Sequence, residues 1–230
     1  MFNFQRLSFL FFIVTLPALS HADGNPVDKV YAPYVQPLER EIEWRMTDSD
    51  GQQVQRLGVG KSLTDRLFIE GYLIGEDNQN NDFRLQAYEI EALWQLTEQG
   101  EYAIDWGLIT ELERQRDDNN WEAAAGLIAL KEWGRWVATS NFWLKYEWGE
   151  SQESEFETAL SLQTRYRLSR YFEPAVEFYA GEDTRALGPV FLGDISLSPG
   201  KKLHWEIGVL TGLSAKTADT NWRALLEYEF

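Results

Sequence analysis

The stretch Arg135-Trp136-Val137-Ala138-Thr139-Ser140-Asn141-Phe142-Trp143-Leu144-Lys145-Tyr146-Glu147-Trp148 decides the fold. Trp136, Ala138, Ser140, Phe142, Leu144, Tyr146 and Trp148 share one parity, and Arg135, Thr139, Asn141, Lys145 and Glu147 share the other. A period of two puts successive side chains on opposite faces of an extended strand, whereas a helix needs apolar residues three and four apart. The pattern recurs from Glu101 to Leu112, where Tyr102, Ile104, Trp106, Leu108, Thr110 and Leu112 oppose Glu101, Asp105 and Glu111. From Glu155 to Leu168 it sets Phe156, Leu160, Leu162, Tyr166 and Leu168 against Glu155, Glu157, Gln163, Arg165 and Arg167.

Working outward, the same reading predicts strands near 38–47, 53–61, 65–75, 83–96, 101–113, 121–132, 135–148, 155–168, 171–181, 188–197, 202–213 and 220–230. From Leu38 to Phe230 this leaves about 16 residues per strand and connection, against roughly 9 to 11 for a tilted membrane-crossing strand. Alternation alone does not say which face is wet. In a soluble barrel the apolar face lines the interior, and in a membrane barrel the faces are exchanged. Here the polar face carries charges of both signs, and the other concentrates Trp, Tyr and Phe toward strand ends with Leu, Ile, Val and Ala between. Trp44, Trp94, Trp106, Trp136, Trp148, Trp205, Trp222, Tyr146, Tyr228 and Phe230 suit an interfacial girdle, where a ring with a polar edge is stable. The expected class is all-β: a single antiparallel up-and-down transmembrane β-barrel of about twelve strands over residues 38–230.

Composition narrows the function. The chain has 230 residues with 37 Asp and Glu against 21 Lys and Arg, a net charge of -16. Nucleic acid is excluded as a partner, because binding it needs a basic face to release counterions. The absence of Cys removes disulfides, thiolate catalysis, Cys-ligated zinc and iron-sulfur clusters. Yet 10 Trp, 10 Tyr and 13 Phe accompany a mean hydropathy of -0.40, which the two-faced barrel reconciles by sorting aromatics and acids onto different sides.

Residues 1–22 begin with the basic Arg6, run apolar from Leu7 to Leu16, and end Ser20-His21-Ala22. This reads as a removed secretory signal, cleaved between Ala22 and Asp23; the apolar run is too short to be a membrane span. Residues 23–37 are expected to be a periplasmic lead.

The chain ends Trp222, Ala224, Leu226, Tyr228 and Phe230 on one parity. An amphipathic last strand with a terminal aromatic resembles the closing strand of Gram-negative outer-membrane β-barrel proteins. That resemblance implies an outer-membrane location, lipid and lipopolysaccharide as surroundings, and Tyr228 and Phe230 as the signal read by the barrel-assembly machinery. Even strand number then puts the tight connections (62–64, 97–100, 132–134, 169–170, 198–201) at the periplasm and the acidic ones (47–52, 76–82, 114–120, 149–154, 182–186, 214–219) outside. More loosely, Tyr31 to Arg45, with Pro33-Tyr34-Val35 leading into Glu39-Arg40-Glu41-Ile42-Glu43-Trp44-Arg45, resembles the first strand of small barrels known as transporters or meta-pathway phenol-degradation outer-membrane proteins. That likeness implies passage of small solutes.

By parity the lumen is lined by Glu41, Glu43, Arg45, Glu89, Glu91, Asp105, Glu111, Lys145, Glu147, Arg165, Arg167, Glu177, His204, Arg223 and Glu227. No catalytic residue, metal site or cofactor is expected. Hydrolytic outer-membrane barrels need a His beside a Ser on the lipid face, and His204, the one His after the signal, has lumen parity near a tight turn. Paired acids such as Glu89 and Glu91 could serve a glycosidase, but a charged wall offers many such pairs and nothing selects one. The outward acids Asp48, Asp50, Glu76, Asp77, Asp82, Asp117 and Asp118 lack calcium-loop spacing. The expected function is a narrow passive channel for small solutes with a cation or neutral preference. The alternative is a structural barrel with an ion-paired, closed lumen that contacts lipopolysaccharide. Connections this short are expected to leave no long loop to fold inside as a constriction, so that the strand side chains themselves decide whether the pore is open.

Overall fold

The computed structural model describes residues 27–77, 83–151 and 153–230. Residues 1–22, with the signal and its cleavage site, lie outside them. Among the described residues there are twelve strands: β1 (Arg40–Ser49), β2 (Gln52–Thr64), β3 (Leu67–Asp77), β4 (Phe83–Gln95), β5 (Asp105–Gln115), β6 (Trp121–Trp133), β7 (Trp136–Trp148), β8 (Glu155–Tyr166), β9 (Glu173–Ala180), β10 (Arg185–Ser198), β11 (Lys201–Gly212) and β12 (Thr220–Glu229). Each pairs antiparallel with its neighbours in sequence, and β1 pairs with β12 from Glu41↔Glu229 to Ser49↔Asn221, which closes the sheet. Closure removes every free strand edge, a requirement for strands in lipid.

Two-sided burial follows the alternation and gives its sign. Leu57, Val59, Leu73, Ile90, Phe142, Leu144, Phe156 and Ile207 are exposed on the outer surface, whereas Glu43, Arg45, Glu177 and Arg223 are almost completely buried inside. This is the membrane arrangement, apolar outward and polar inward. Neighbouring outer aromatics pair near strand ends: Trp121 with Trp148 at 6.3 Å, Trp136 with Tyr166 at 5.0 Å, and Tyr228 with Phe230 at 5.4 Å between ring centroids.

The first hairpin turns on Asp50 and Gly51, at φ of 52° and 88°. Two successive positive φ values give the two-residue turn whose twist matches the flanking strands. The strands therefore run closer to the turn than the alternation predicts. The opposite happens at β5. The apolar alternation from Glu101 predicts strand there, but residues 101–104 bend: Glu101 N–H donates to the Glu98 carbonyl at 3.1 Å, and Gly100, at φ 73°, donates to Asp105 Oδ1 at 2.9 Å. The connection is nine residues, 96–104, rather than a tight turn.

The larger correction concerns the lead. Residues 27–35 of the expected periplasmic lead 23–37 lie inside the barrel, 23–26 fall outside the described residues, and Tyr31 to Tyr34 are not part of the first strand. Pro33 and Pro37 have no N–H to give a ladder, so the segment does not become a thirteenth strand. Gln36 to Glu39 then form a turn, with Glu39 N–H donating to the Gln36 carbonyl and Leu38 at φ 65°, that swings the chain from the lumen into β1.

Its apolar side chains explain the position. Tyr31 and Val35 pack with Phe68, Leu93, Ile109, Ala124, Ile128 and Trp143 on one wall. Val27 packs with Ala175, Tyr179, Ala186, Val190, Leu192 and Leu210 on another. The inward face thus carries apolar patches that match the segment. The expectation that aromatics belong to the lipid side fails at Phe68, Tyr72, Trp143 and Tyr179, which point inward and are buried.

Candidate functional site

The lumen is a charged wall closed around residues 27–37. The segment's backbone is held by side chains of distant strands. Asn141, fully buried on β7, accepts from the Tyr31 N–H at 2.7 Å and donates to the Tyr31 carbonyl at 2.9 Å, doing for one residue what a neighbouring strand would do. Gln95 at the end of β4 accepts the Val35 N–H at 2.8 Å. Tyr31 Oη donates to Glu91 at 2.8 Å, and its ring meets Trp143 edge-on at 5.8 Å. Tyr34 Oη donates to Asp105 at 2.6 Å. On β5, Gly107 leaves the room that Pro33 fills: a Cβ there would lie 2.8 Å from Pro33 Cβ and 2.9 Å from its Cα.

Higher in the lumen the contacts are ionic. Arg45 on β1 reaches Asp28 Oδ1 at 2.9 Å, and Arg56 on β2 reaches Asp28 Oδ2 at 3.8 Å. Arg223 on β12 and Tyr179 on β9 both donate to the Asp28 carbonyl. Lys29 Nζ sits 2.5 Å from Glu43 Oε2 and 4.7 Å from the centre of the Tyr31 ring. The segment therefore ties strands on opposite sides of the barrel, β1, β2, β9 and β12 through Asp28 and β4 and β7 through Tyr31.

The residues expected to line the lumen have two kinds of surroundings. Glu41, Glu43, Arg45, Glu89, Glu91, Asp105, Glu177 and Arg223 are buried; Glu111, Lys145, Glu147, Arg165, Arg167, His204 and Glu227 are half-buried. Their ion pairs run along the wall. Arg223 Nη2 donates to Glu177 at 2.9 Å and Glu206 at 2.7 Å; Lys145 pairs with Glu122 at 3.0 Å, Arg165 with Glu173 at 3.5 Å and Arg167 with Glu132 at 2.6 Å. All join strands no more than three places apart. Among the described residues these wall pairs join near strands, whereas the segment reaches across the lumen.

His204 sits between Asp194, 2.7 Å from Nδ1, and Glu206, 3.1 Å from Nε2, so both ring nitrogens face carboxylates. Among the described residues no group of three or more His, Asp or Glu side chains is arranged to hold a metal ion. The outward Asp50 binds backbone instead, accepting from Asp219 N–H at 2.9 Å and Thr220 N–H at 3.1 Å and locking two neighbouring loops together.

Sequence reasoning missed Asp28, Lys29, Tyr31, Arg56, Glu70 and Asn141. A signal was present: an apolar residue at every second or fourth position of the lead, Val27, Tyr31, Pro33 and Val35, in a stretch assigned to solvent.

No protein-family model and no curated protein matches the chain. Solved structures match its fold. The KdgM porin in complex with disordered oligogalacturonate superposes with a TM-score of 0.56 at 11% identity, over 84% of this chain and 99% of that one. An outer membrane channel from Pseudomonas putida F1 gives 0.56 at 14% identity, over 90% and 99%. The β domain of the Bordetella autotransporter BrkA gives 0.55 at 12%, over 84% and 98%. At such identities the likeness is one of fold, and none of these proteins is named for phenol degradation. The chain has the closed twelve-strand architecture of outer-membrane β-barrels.

Proposed function

We propose that this protein is an outer-membrane channel for small solutes, cationic or neutral rather than anionic, that residues 27–37 hold shut. The observation that carries this reading is that a separate chain segment occupies the lumen, bound through side chains. A barrel serving only as a membrane brick can be filled by its own wall, as eight-stranded barrels are, while sixteen-stranded porins hold a water channel. Twelve strands fall between these, and here one extended segment lies in the space within the wall. Acidic residues outnumber Arg and Lys on the inward face, which supports the charge preference. The barrel-type neighbours named as porins and channels support transport over catalysis, as does the engagement of both His204 nitrogens by carboxylates. In this reading Tyr228 and Phe230 mark the chain for assembly, and no cofactor takes part.

The second reading, a permanently closed structural barrel beside lipopolysaccharide, is favoured by the buried ion pairs that fasten Asp28 and Lys29. Planar-bilayer recording separates the two. The expected result is stepwise conductance with a cation-favouring reversal potential in a salt gradient, enlarged in Gly107→Ala, which crowds Pro33. An absence of steps in both proteins overturns the channel. An anion-favouring potential overturns the charge argument alone.

A further inference from the structure

We infer that the paired surfaces of Glu43 and Arg45 form a recognition site for small zwitterions bearing one carboxylate and one ammonium group, which Asp28 and Lys29 occupy as a tethered stand-in. Glu43 and Arg45 are two residues apart on β1 and so share its inward face. Arg45 holds the Asp28 carboxylate at 2.9 Å while Glu43 holds the Lys29 ammonium at 2.5 Å, and the two wall residues face each other, Arg45 Nε to Glu43 Oε1, at 3.4 Å. A cationic and an anionic subsite therefore abut. Arg56 extends the first toward β2, and the face of Tyr31 flanks the second.

A second observation is that the tethered groups leave part of this surface unpaired. Glu70 Oε1, Arg45 Nη2 and Arg56 Nε are buried and make no hydrogen bond, while Glu43 Oε1 and Arg45 Nε have each other, at 3.4 Å. Glu43, Arg45 and Glu70 are each more than nine-tenths buried. Buried polar atoms in native proteins are nearly always paired. A free carboxylate and ammonium bring the same acceptors and donors as Asp28 and Lys29, but without a shared backbone they can turn toward Arg45 Nη2, Arg56 Nε and Glu70 Oε1. Selectivity comes from repulsion as much as attraction: a lone anion meets Glu43 and Glu70, and a lone cation meets Arg45 and Arg56, so only a molecule with both charges satisfies the whole surface. This inference rests on the channel reading for the route by which a solute arrives.

The test is calorimetric titration of the detergent-solubilised full-length chain with 5-aminopentanoate, using pentanoate and pentylammonium as single-charge controls. Asp28→Ala/Lys29→Ala empties both subsites while keeping the rest of the segment, and Asp28→Asn/Lys29→Gln is the near-isosteric second variant. The heat-modifiable gel shift selects folded protein. Freed of its tethered competitor, folded variant protein binds 5-aminopentanoate at least about tenfold more tightly than wild type and than it binds either control. Equal binding of all three compounds, or no binding to either folded variant, overturns the site. Conductance measured on the same preparations keeps the two proposals apart. Steps without zwitterion binding remove the site and leave the channel; binding without steps does the reverse.

Discussion

Replacing Asn141 by Ala should release the lumen segment without unfolding the barrel. Asn141 makes two hydrogen bonds to the Tyr31 backbone, at 2.7 and 2.9 Å, from a strand position 110 residues away in sequence. Alanine leaves a buried N–H and a buried carbonyl without partners, and each such group costs about 1 to 3 kcal/mol. Taking the low end for each group gives about 2 kcal/mol for the pair. That is about a 30-fold rise in the undocked population. Hydrogen exchange read by mass spectrometry reports it directly, since the Tyr31 amide exchanges only when the segment leaves. Peptides covering 27–37 should exchange about 30-fold faster in Asn141→Ala while peptides of β1 to β12 keep the wild-type rate. Asn141 Oδ1 also accepts from Ser161 at 3.3 Å, so Ser161→Ala is the control that removes this contact and leaves Tyr31 alone. Unchanged exchange in the lead, or equal acceleration in lead and strands, refutes the view that Asn141 holds a separable segment.

Three more expectations follow from the same geometry. Gly107→Ala places a methyl against the Pro33 backbone and should speed exchange over residues 31–35 with the barrel's thermal gel-shift midpoint unmoved; a lowered midpoint with unchanged exchange contradicts the packing argument. Arg223→Met strands Glu177 and Glu206 as buried carboxylates and should destabilise the barrel by about 3 to 5 kcal/mol in urea titration, with Arg223→Lys recovering part of the loss. Burial, and then the charge of Glu229, push the Glu39 carboxyl up to about 7. The folded chain thus binds that proton more tightly than the unfolded one, and ionisation costs stability as pH rises. Glu39→Gln should raise the thermal midpoint at about pH 8 and leave it unchanged at about pH 4.

The membrane barrel was legible because its cause is local. Lipid outside and charge inside impose a period of two on every strand, and Trp136 to Trp148 shows it without reference to any other element. Boundaries were less legible, since Glu101 to Ile104 alternate like strand but are bent by hydrogen bonds from Gly100 and Glu101 that depend on the turn's backbone angles. Parity groups the polar residues on one face of each strand, yet it says nothing about which of them touch.

What sequence alone determined about this protein is its class and the sign of each face, because both follow from the solvent on either side of a single strand. The fate of the lead was decided only by tertiary structure. Val27 to Gln36 reads as a short polar linker until barrel closure sets Arg45, Arg56, Tyr179, Arg223, Glu91 and Asn141 around one axis. Those residues come from six strands, and no spacing along the chain records that they meet. The physical reason is that a period-two pattern specifies direction, inward or outward, whereas a binding surface needs position. Position in a barrel is fixed only when β1 finds β12.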